Sequence, residues 1–246
     1  MDVVILGSGT GYPNPQRFPP GLLVRVGERA LLFDAGAGTL HRLLRTGVDV
    51  GALEYVFFTH SHSDHCGDLV PMLQALALMR RTQPLHVIAS PGFLTYLRAM
   101  LDLNPWARPS LYELREVDIT KGPLEGPGWV VDAALTGHTP ESLAFRLRAE
   151  GKTLVYTGDA VAGDRLVAFA RGADLLIAEC SFPDACAEPY HLTPTSAGML
   201  AEEARARHLV LTHFYPPCDR VDVASIAAKV YSGKITVAQD GLALRV

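Results

Sequence analysis

The stretch Thr59-His60-Ser61-His62-Ser63-Asp64-His65 decides how this chain is read. It places four groups able to ligate a metal, His60, His62, Asp64 and His65, within six residues. It follows Tyr55-Val56-Phe57-Phe58, an aromatic and β-branched run with the length of a buried strand. The polar cluster therefore lies on the loop past a strand's carboxyl end, where open α/β sheets build their sites. Imidazole and carboxylate are donors that suit zinc, iron and manganese. Three imidazoles crowded together repel one another once protonated, so a bound cation explains them better than a polar turn does.

Working outward, the same grammar recurs. Asp2 to Leu6 reads as a strand running into Gly7-Ser8-Gly9-Thr10-Gly11. The spacing fits no phosphate-binding motif, so the glycines are expected to bring backbone close to the site. Tyr12 to Pro20, with four prolines, reads as an ordered loop at the mouth. Leu22–Val26 and Ala30–Phe33 form a hairpin pattern across Gly27-Glu28 and end at Asp34. Ser90-Pro91 and Thr193-Pro194 each combine an N-cap with Pro at the first helical position, predicting helices over Gly92–Leu101 and Thr195–Arg205. Asp68–Arg81 carries leucines at helical spacing, and Leu111–Val117 reads as a strand. His41 and His86 read as surface and structural histidines, and Trp106 as a loop aromatic lining a pocket or capping the core. The chain closes with Ile235–Ala238 and Leu242–Val246, read as a hairpin.

Six apolar runs share one ending, a polar residue of ligand type: Asp34, His60, His138, Asp159, Glu179 and His213. Polar strand ends facing one rim would make a single site. The grouping of strands and helices predicts two sheets packed face to face with helices outside. The two halves repeat this pattern without repeating residue identities.

Composition bounds the rest. The chain has 246 residues, 48% hydrophobic, enough for one large domain over 1–246. A net charge of −4 creates no basic field for nucleic acid. No secretory leader and no membrane-spanning run is expected. Cys66, Cys180, Cys186 and Cys218 are scattered, which fits a reducing cytoplasm.

His60-Ser-His62-Ser-Asp64-His65, with His138, Asp159 and His213 following in order and Asp34 before, resembles the metallo-β-lactamase superfamily. Ala178-Glu179-Cys180-Ser181, His191-Leu192-Thr193 and Leu209-Val210-Leu211-Thr212-His213-Phe214 are similar to its ribonuclease Z-like phosphodiesterase branch. The resemblance implies an α/β fold, a four-layer αββα sandwich, with two divalent metal ions at one edge, zinc first and manganese as the alternative. One ion would take His60, His62 and His138, and the second Asp64, His65 and His213, with Asp159 between them. Asp64 would also orient the attacking water, and His191, steadied by Glu179, would serve the leaving group or the transition state. Asp34 would brace the histidine loop. Cys66 reads as a small buried residue.

In that branch, enzymes that process tRNA usually carry a long arm. Here only twenty residues separate His138 from Asp159, read as a hairpin, and no Lys/Arg cluster appears. The expectation is therefore a metal-dependent phosphodiesterase for a small phosphodiester such as a cyclic nucleotide or cyclic sugar phosphate, with tRNA disfavoured. A lactonase or other carboxylic-ester hydrolase, and ribonuclease Z itself, are the alternatives. A homodimer could lend the surface that the missing arm would have provided.

Overall fold

The computed structural model describes residues 1–246. The first half supplies β1 (Asp2–Gly7), β2 (Gly21–Val26), β3 (Arg29–Phe33), β4 (Tyr55–Phe57), β5 (Leu85–Ala89) and β6 (Leu114–Asp118). The second supplies β7 (Leu124–Gly126), β8 (Trp129–Leu135), β9 (Leu143–Ala149), β10 (Lys152–Tyr156), β11 (Leu175–Glu179), β12 (His208–Thr212), β13 (Lys234–Val237) and β14 (Ala243–Arg245). One sheet runs β14-β1-β2-β3-β4-β5-β6 and the other β13-β12-β11-β10-β9-β8-β7. Each sheet is antiparallel up to its hairpin-fed strand, β3 or β10, and parallel beyond it. The repeated pattern seen in the sequence is therefore a repeated topology.

Strand alternation explains the layers. In β2, Leu22 and Val24 join the core between the sheets, while Leu23 packs outward beneath the helices. Phe57 likewise faces inward, where it stacks on Phe33 at 4.6 Å and meets Phe145 at 5.6 Å, while Val56 and Phe58 face out. Both faces are covered, so these strands read as nearly continuous apolar runs. The outer layer over the first sheet includes α1 (Thr39–Arg45), α2 (Ser63–Cys66), α3 (Leu69–Leu78) and α4 (Pro91–Leu103), and that over the second α5 (Asp164–Ala170), α6 (Pro194–Glu203) and α7 (Val223–Ala227). This is the αββα metallo-β-lactamase arrangement.

The caps behave as the sequence predicts. Ser90 Oγ accepts from the Phe93 N–H, and Thr193 with Ser196 closes a capping box at the start of α6. Three expectations need correction. The last two strands are not a hairpin: β13 lies parallel to β12 in the second sheet, and β14 lies antiparallel to β1 in the first. The chain crosses between sheets at Asp240, whose carboxylate accepts from Ser8 N and Oγ and from Phe18 N, drawing the link over the edge of the sandwich. β6 begins at Leu114 rather than Leu111, and the short edge strand β7 was absent from the sequence reading. Trp106 is 58% exposed and does not cap the core.

Candidate metal centre

The six polar strand ends meet at one rim of the sandwich. Asp34 follows β3, His60 follows β4, His138 follows β8, Asp159 follows β10, Glu179 ends β11 and His213 follows β12. His62 caps α2, which carries Asp64 and His65. His65 O accepts from the Ala35 N–H at 2.8 Å, tying this short helix to the Asp34 corner. The corner is tight: a Cβ on Gly36 would lie 2.0 Å from the Asp64 carbonyl oxygen. Asp34 and His213 both adopt positive φ, 56° and 61°, a conformation that costs non-glycine residues energy and marks sites held by their surroundings.

All seven candidate ligands come together, in two groups. His62 Nδ1 lies 3.3 Å from His138 Nε2, with His60 beside them. His65 Nε2 lies 3.2 Å from His213 Nε2, with Asp64 Oδ2 3.5 Å from His213 Nε2. Asp159 divides its oxygens between the groups. Oδ2 lies 3.5 Å from His138 Nε2 and 3.8 Å from His60 Nε2, whereas Oδ1 lies 3.2 Å from both His65 Nε2 and His213 Nε2.

These donors fit cations. His65 and His213 each bond a partner through Nδ1, so in their neutral forms the two Nε2 lone pairs face each other across 3.2 Å. That spacing is close to the roughly 3.3 Å edge of a tetrahedron built on zinc–nitrogen bonds of about 2.0–2.1 Å. His60 Nε2 and Asp159 Oδ1 are buried and have no hydrogen-bond partner, a costly condition that a cation relieves. Burial, then the charge that His65 carries when no cation is bound, holds the His60 imidazole well below its ordinary pKa, which keeps its lone pair free. Burial opposes ionisation of Asp159, but His213 and His65 outweigh it and keep the carboxylate well below its usual range. Asp64 shows the same balance, with the bond to His213 leading the downward pull.

A ring of supporting bonds surrounds the two groups. Asp34 is fully buried; its Oδ2 accepts from His65 Nδ1 at 2.8 Å and from Tyr156 Oη at 2.9 Å, and its Oδ1 accepts from Thr59 N at 2.8 Å. It therefore braces the histidine loop as the sequence implied. Gly11 N donates to Asp64 Oδ2 at 2.9 Å, which is the close backbone approach expected of the glycine turn. Cys66 is buried with its thiol turned to the Ser61 and His62 carbonyls, and burial pushes its pKa up to about 11. His86 stacks on Tyr55, and His41 is exposed, both away from this rim.

Glu179 is buried, not a surface carboxylate. Its oxygens accept from Ala160 N at 2.6 Å and from Ser181 Oγ, and Oε2 lies 3.0 Å from His191 Nδ1. Burial lowers the His191 pKa, but Glu179 outweighs it and leaves the imidazole raised. The His191 ring sits 4.7 Å from that of His138. Four supporting groups escaped the sequence reading: Thr59, Tyr156, Ser181, which takes the Nδ1 of His213 at 2.9 Å, and the Tyr190 carbonyl, which takes the Nδ1 of His138 at 2.8 Å. Thr59 and Ser181 lay inside the quoted motifs, but nothing in their spacing marks a hydroxyl as a brace rather than a turn residue.

A model of the beta-lactamase superfamily domain matches residues 29–214. The chain belongs to the beta-lactamase superfamily, in its ribonuclease Z-like branch. A protein named ribonuclease Z from Mycobacterium bovis is 30% identical, the match covering 98% of this chain and 96% of the relative. That match runs over 273 positions, more than the 246 residues here, so the relative carries residues without a counterpart. Among solved structures, the metallo-beta-lactamase fold protein YhfI from Bacillus subtilis superposes with a TM-score of 0.86 at 26% identity, covering 99% of this chain and 98% of that one. Human tRNase Z, short form, gives 0.79 at 26% identity, covering 100% and 99%. This superfamily member is a metal-dependent hydrolase. No helix is long and apolar enough to cross a membrane.

Proposed function

We propose that the chain acts as one hydrolase domain, a phosphodiesterase that holds two divalent cations between His60, His62, His138 and Asp64, His65, His213, with Asp159 shared. The single observation that carries this is the division of the Asp159 oxygens between two imidazole groups, beside a His191–Glu179 pair that neither group uses. The donors are nitrogen and oxygen with no thiolate, which suits zinc first and manganese second. Bound cations would supply Lewis acidity to a phosphoryl oxygen and acidify a water to near-neutral pKa.

The chain's own residues do the rest. Asp64, steadied by the Gly11 N–H, accepts a hydrogen bond from the attacking water and aims it. Glu179 holds a proton on His191 Nδ1 and, against burial, raises the imidazole's pKa, which favours the charged form whose Nε2–H can be given to the departing oxygen. The carboxylic-ester alternative assigns this buried pair no task.

A small substrate is favoured by the interval between His138 and Asp159. It is filled by the β9–β10 hairpin, which turns at Glu150-Gly151 and extends no arm. Ribonuclease Z activity on RNA is the second reading, favoured by the name and 98% coverage of the 30% identical relative. The cytoplasm suits four free cysteines. The test is hydrolysis of bis(p-nitrophenyl) phosphate with zinc, manganese or cobalt, abolished by chelator and by His62→Ala. Inactivity with all three metals would sink the proposal; faster cleavage of a 3′-extended tRNA than of small diesters would select the second reading.

A further inference from the structure

On the outer face of the first sheet, between α1 and the edge strand β14, lies a cavity of about 300 Å³. Val4 and Leu6 of β1 line it together with Arg25, Arg42, Arg45 and Thr46. No carboxylate lines it. The chain carries a net charge of −4, so three guanidiniums around one cavity run against its overall balance. No run of basic residues foretells them. Arg25 comes from β2, and Arg42 and Arg45 from α1, so only packing brings them together.

The three arginines are not equally engaged. Arg42 is occupied within the protein: Nε donates to the Leu6 carbonyl, Nη2 lies 3.3 Å from Asp240 Oδ2, and the guanidinium sits 4.7 Å from the Phe18 ring centre. Arg25 Nη2 donates to the Thr46 carbonyl, the C-cap of α1, at 2.7 Å and meets no carboxylate. Arg45, in the last turn of α1, is exposed and has neither a hydrogen bond nor an ion pair. A helix dipole favours a cation at that end, but Arg25 already takes the cap carbonyl, which leaves Arg45 without an internal partner. Asp2, earlier on β1, lies 4.0 Å from Arg245 instead.

We propose that this cavity binds a small phosphate monoester, a dianion held by Arg25 and Arg45 with its organic part against Val4 and Leu6. Guanidinium forks match phosphate oxygens two at a time. A volume of about 300 Å³ stands at the small end of ligand pockets, with room for a phosphate on a sugar-sized body. In the neighbouring cavity past Arg25, Arg29 is paired with Glu54 at 3.1 Å, so no row of free guanidiniums continues for a polyanion. The cavity shares no residue with the cation-binding rim, so the site stands apart from the phosphodiesterase reading.

The zinc-loaded protein is titrated calorimetrically with glucose 6-phosphate and with glucose, which differ only in the phosphate, and bis(p-nitrophenyl) phosphate hydrolysis is followed in parallel. The sugar phosphate should bind and glucose should not. Arg45→Gln and Arg25→Gln should each weaken binding by about tenfold or more, with hydrolysis unchanged. Arg45→Lys, which keeps the charge without the fork, should fall between wild type and Arg45→Gln. Arg45 is exposed and unbonded, so its variants probe the site without endangering the fold. Failure of the wild type to bind glucose 6-phosphate overturns the proposal. So does equal binding by wild type and both glutamine variants, which would place the ligand at the cations. Tighter capture of a short oligoribonucleotide, lost in the same variants, would put a nucleic-acid strand in the cavity and overturn the small ligand.

Discussion

The two halves of the centre are built differently. In the group of Asp64, His65 and His213, both imidazoles are buried and each Nδ1 ends on an oxygen inside the protein, Asp34 for His65 and Ser181 for His213. In the group of His60, His62 and His138, His62 is exposed, and His138 depends on one carbonyl, Tyr190, from the loop that also carries His191. The first group is preorganised by buried bonds that persist without help. The second has one such member, His60, buried with its Nδ1 on Thr59 Oγ1, and takes the rest of its geometry from an exposed residue and a loop. Tight, slow-exchanging binding is therefore expected at the buried group and looser binding at the exposed one, because outer bonds that fix a ligand's tautomer and direction raise its affinity.

The largest effect should come from the residue common to both halves. Asp159→Asn removes the charge that serves the two groups at once, and should cut hydrolysis by about a thousandfold or more while reducing bound metal at both positions. Metal analysis and kcat together check this; an active variant with two metals would erase the idea of a shared carboxylate.

Asp34→Ala should fall next and should strike the buried half. It leaves His65, Tyr156 and Thr59 donors without an acceptor in the core. Stability should drop by about 3–5 kcal/mol, read by denaturant unfolding of the metal-free protein. Metal affinity should drop by roughly 10–100-fold. His62→Ala tests the exposed half: about one metal per chain should remain, counted after dialysis. Loss of both would mean that the halves are not separable.

Glu179→Gln moves a proton rather than a metal. Glu179 raises the His191 pKa, so the charged imidazole persists to higher pH and activity falls as pH rises through that value. The glutamine withdraws the support, and the alkaline limb of the kcat profile should shift to lower pH. An unmoved limb removes His191 as the acid. Tyr156→Phe is the mildest probe. It deletes one bond to Asp34 and should cost about 1 kcal/mol of stability with little change in metal content.

Much of this architecture was legible in the order of residues. Apolar runs of strand length ending in Asp34, His60, His138, Asp159, Glu179 and His213 marked the rim, because the loops that follow the carboxyl ends of neighbouring strands gather at one edge of the sheet. The Ser90 and Thr193 caps announced their helices because capping is a local bond. Where the reading failed, the deciding partner was distant. β13 and β14 look like a hairpin along the chain, yet Asp240, bonded to Ser8 and Phe18, sends them to opposite sheets.

The chain's letters by themselves determined which side chains could bind cations and roughly where each strand would deliver them, since ligand chemistry and strand periodicity are properties of short segments. Only the tertiary structure decided how Asp159 divides its oxygens, that Tyr156 reaches Asp34 from the facing sheet, and that the Tyr190 carbonyl turns His138. Those are contacts between residues far apart along the polypeptide, and their directions are set by how the two sheets pack rather than by any local preference.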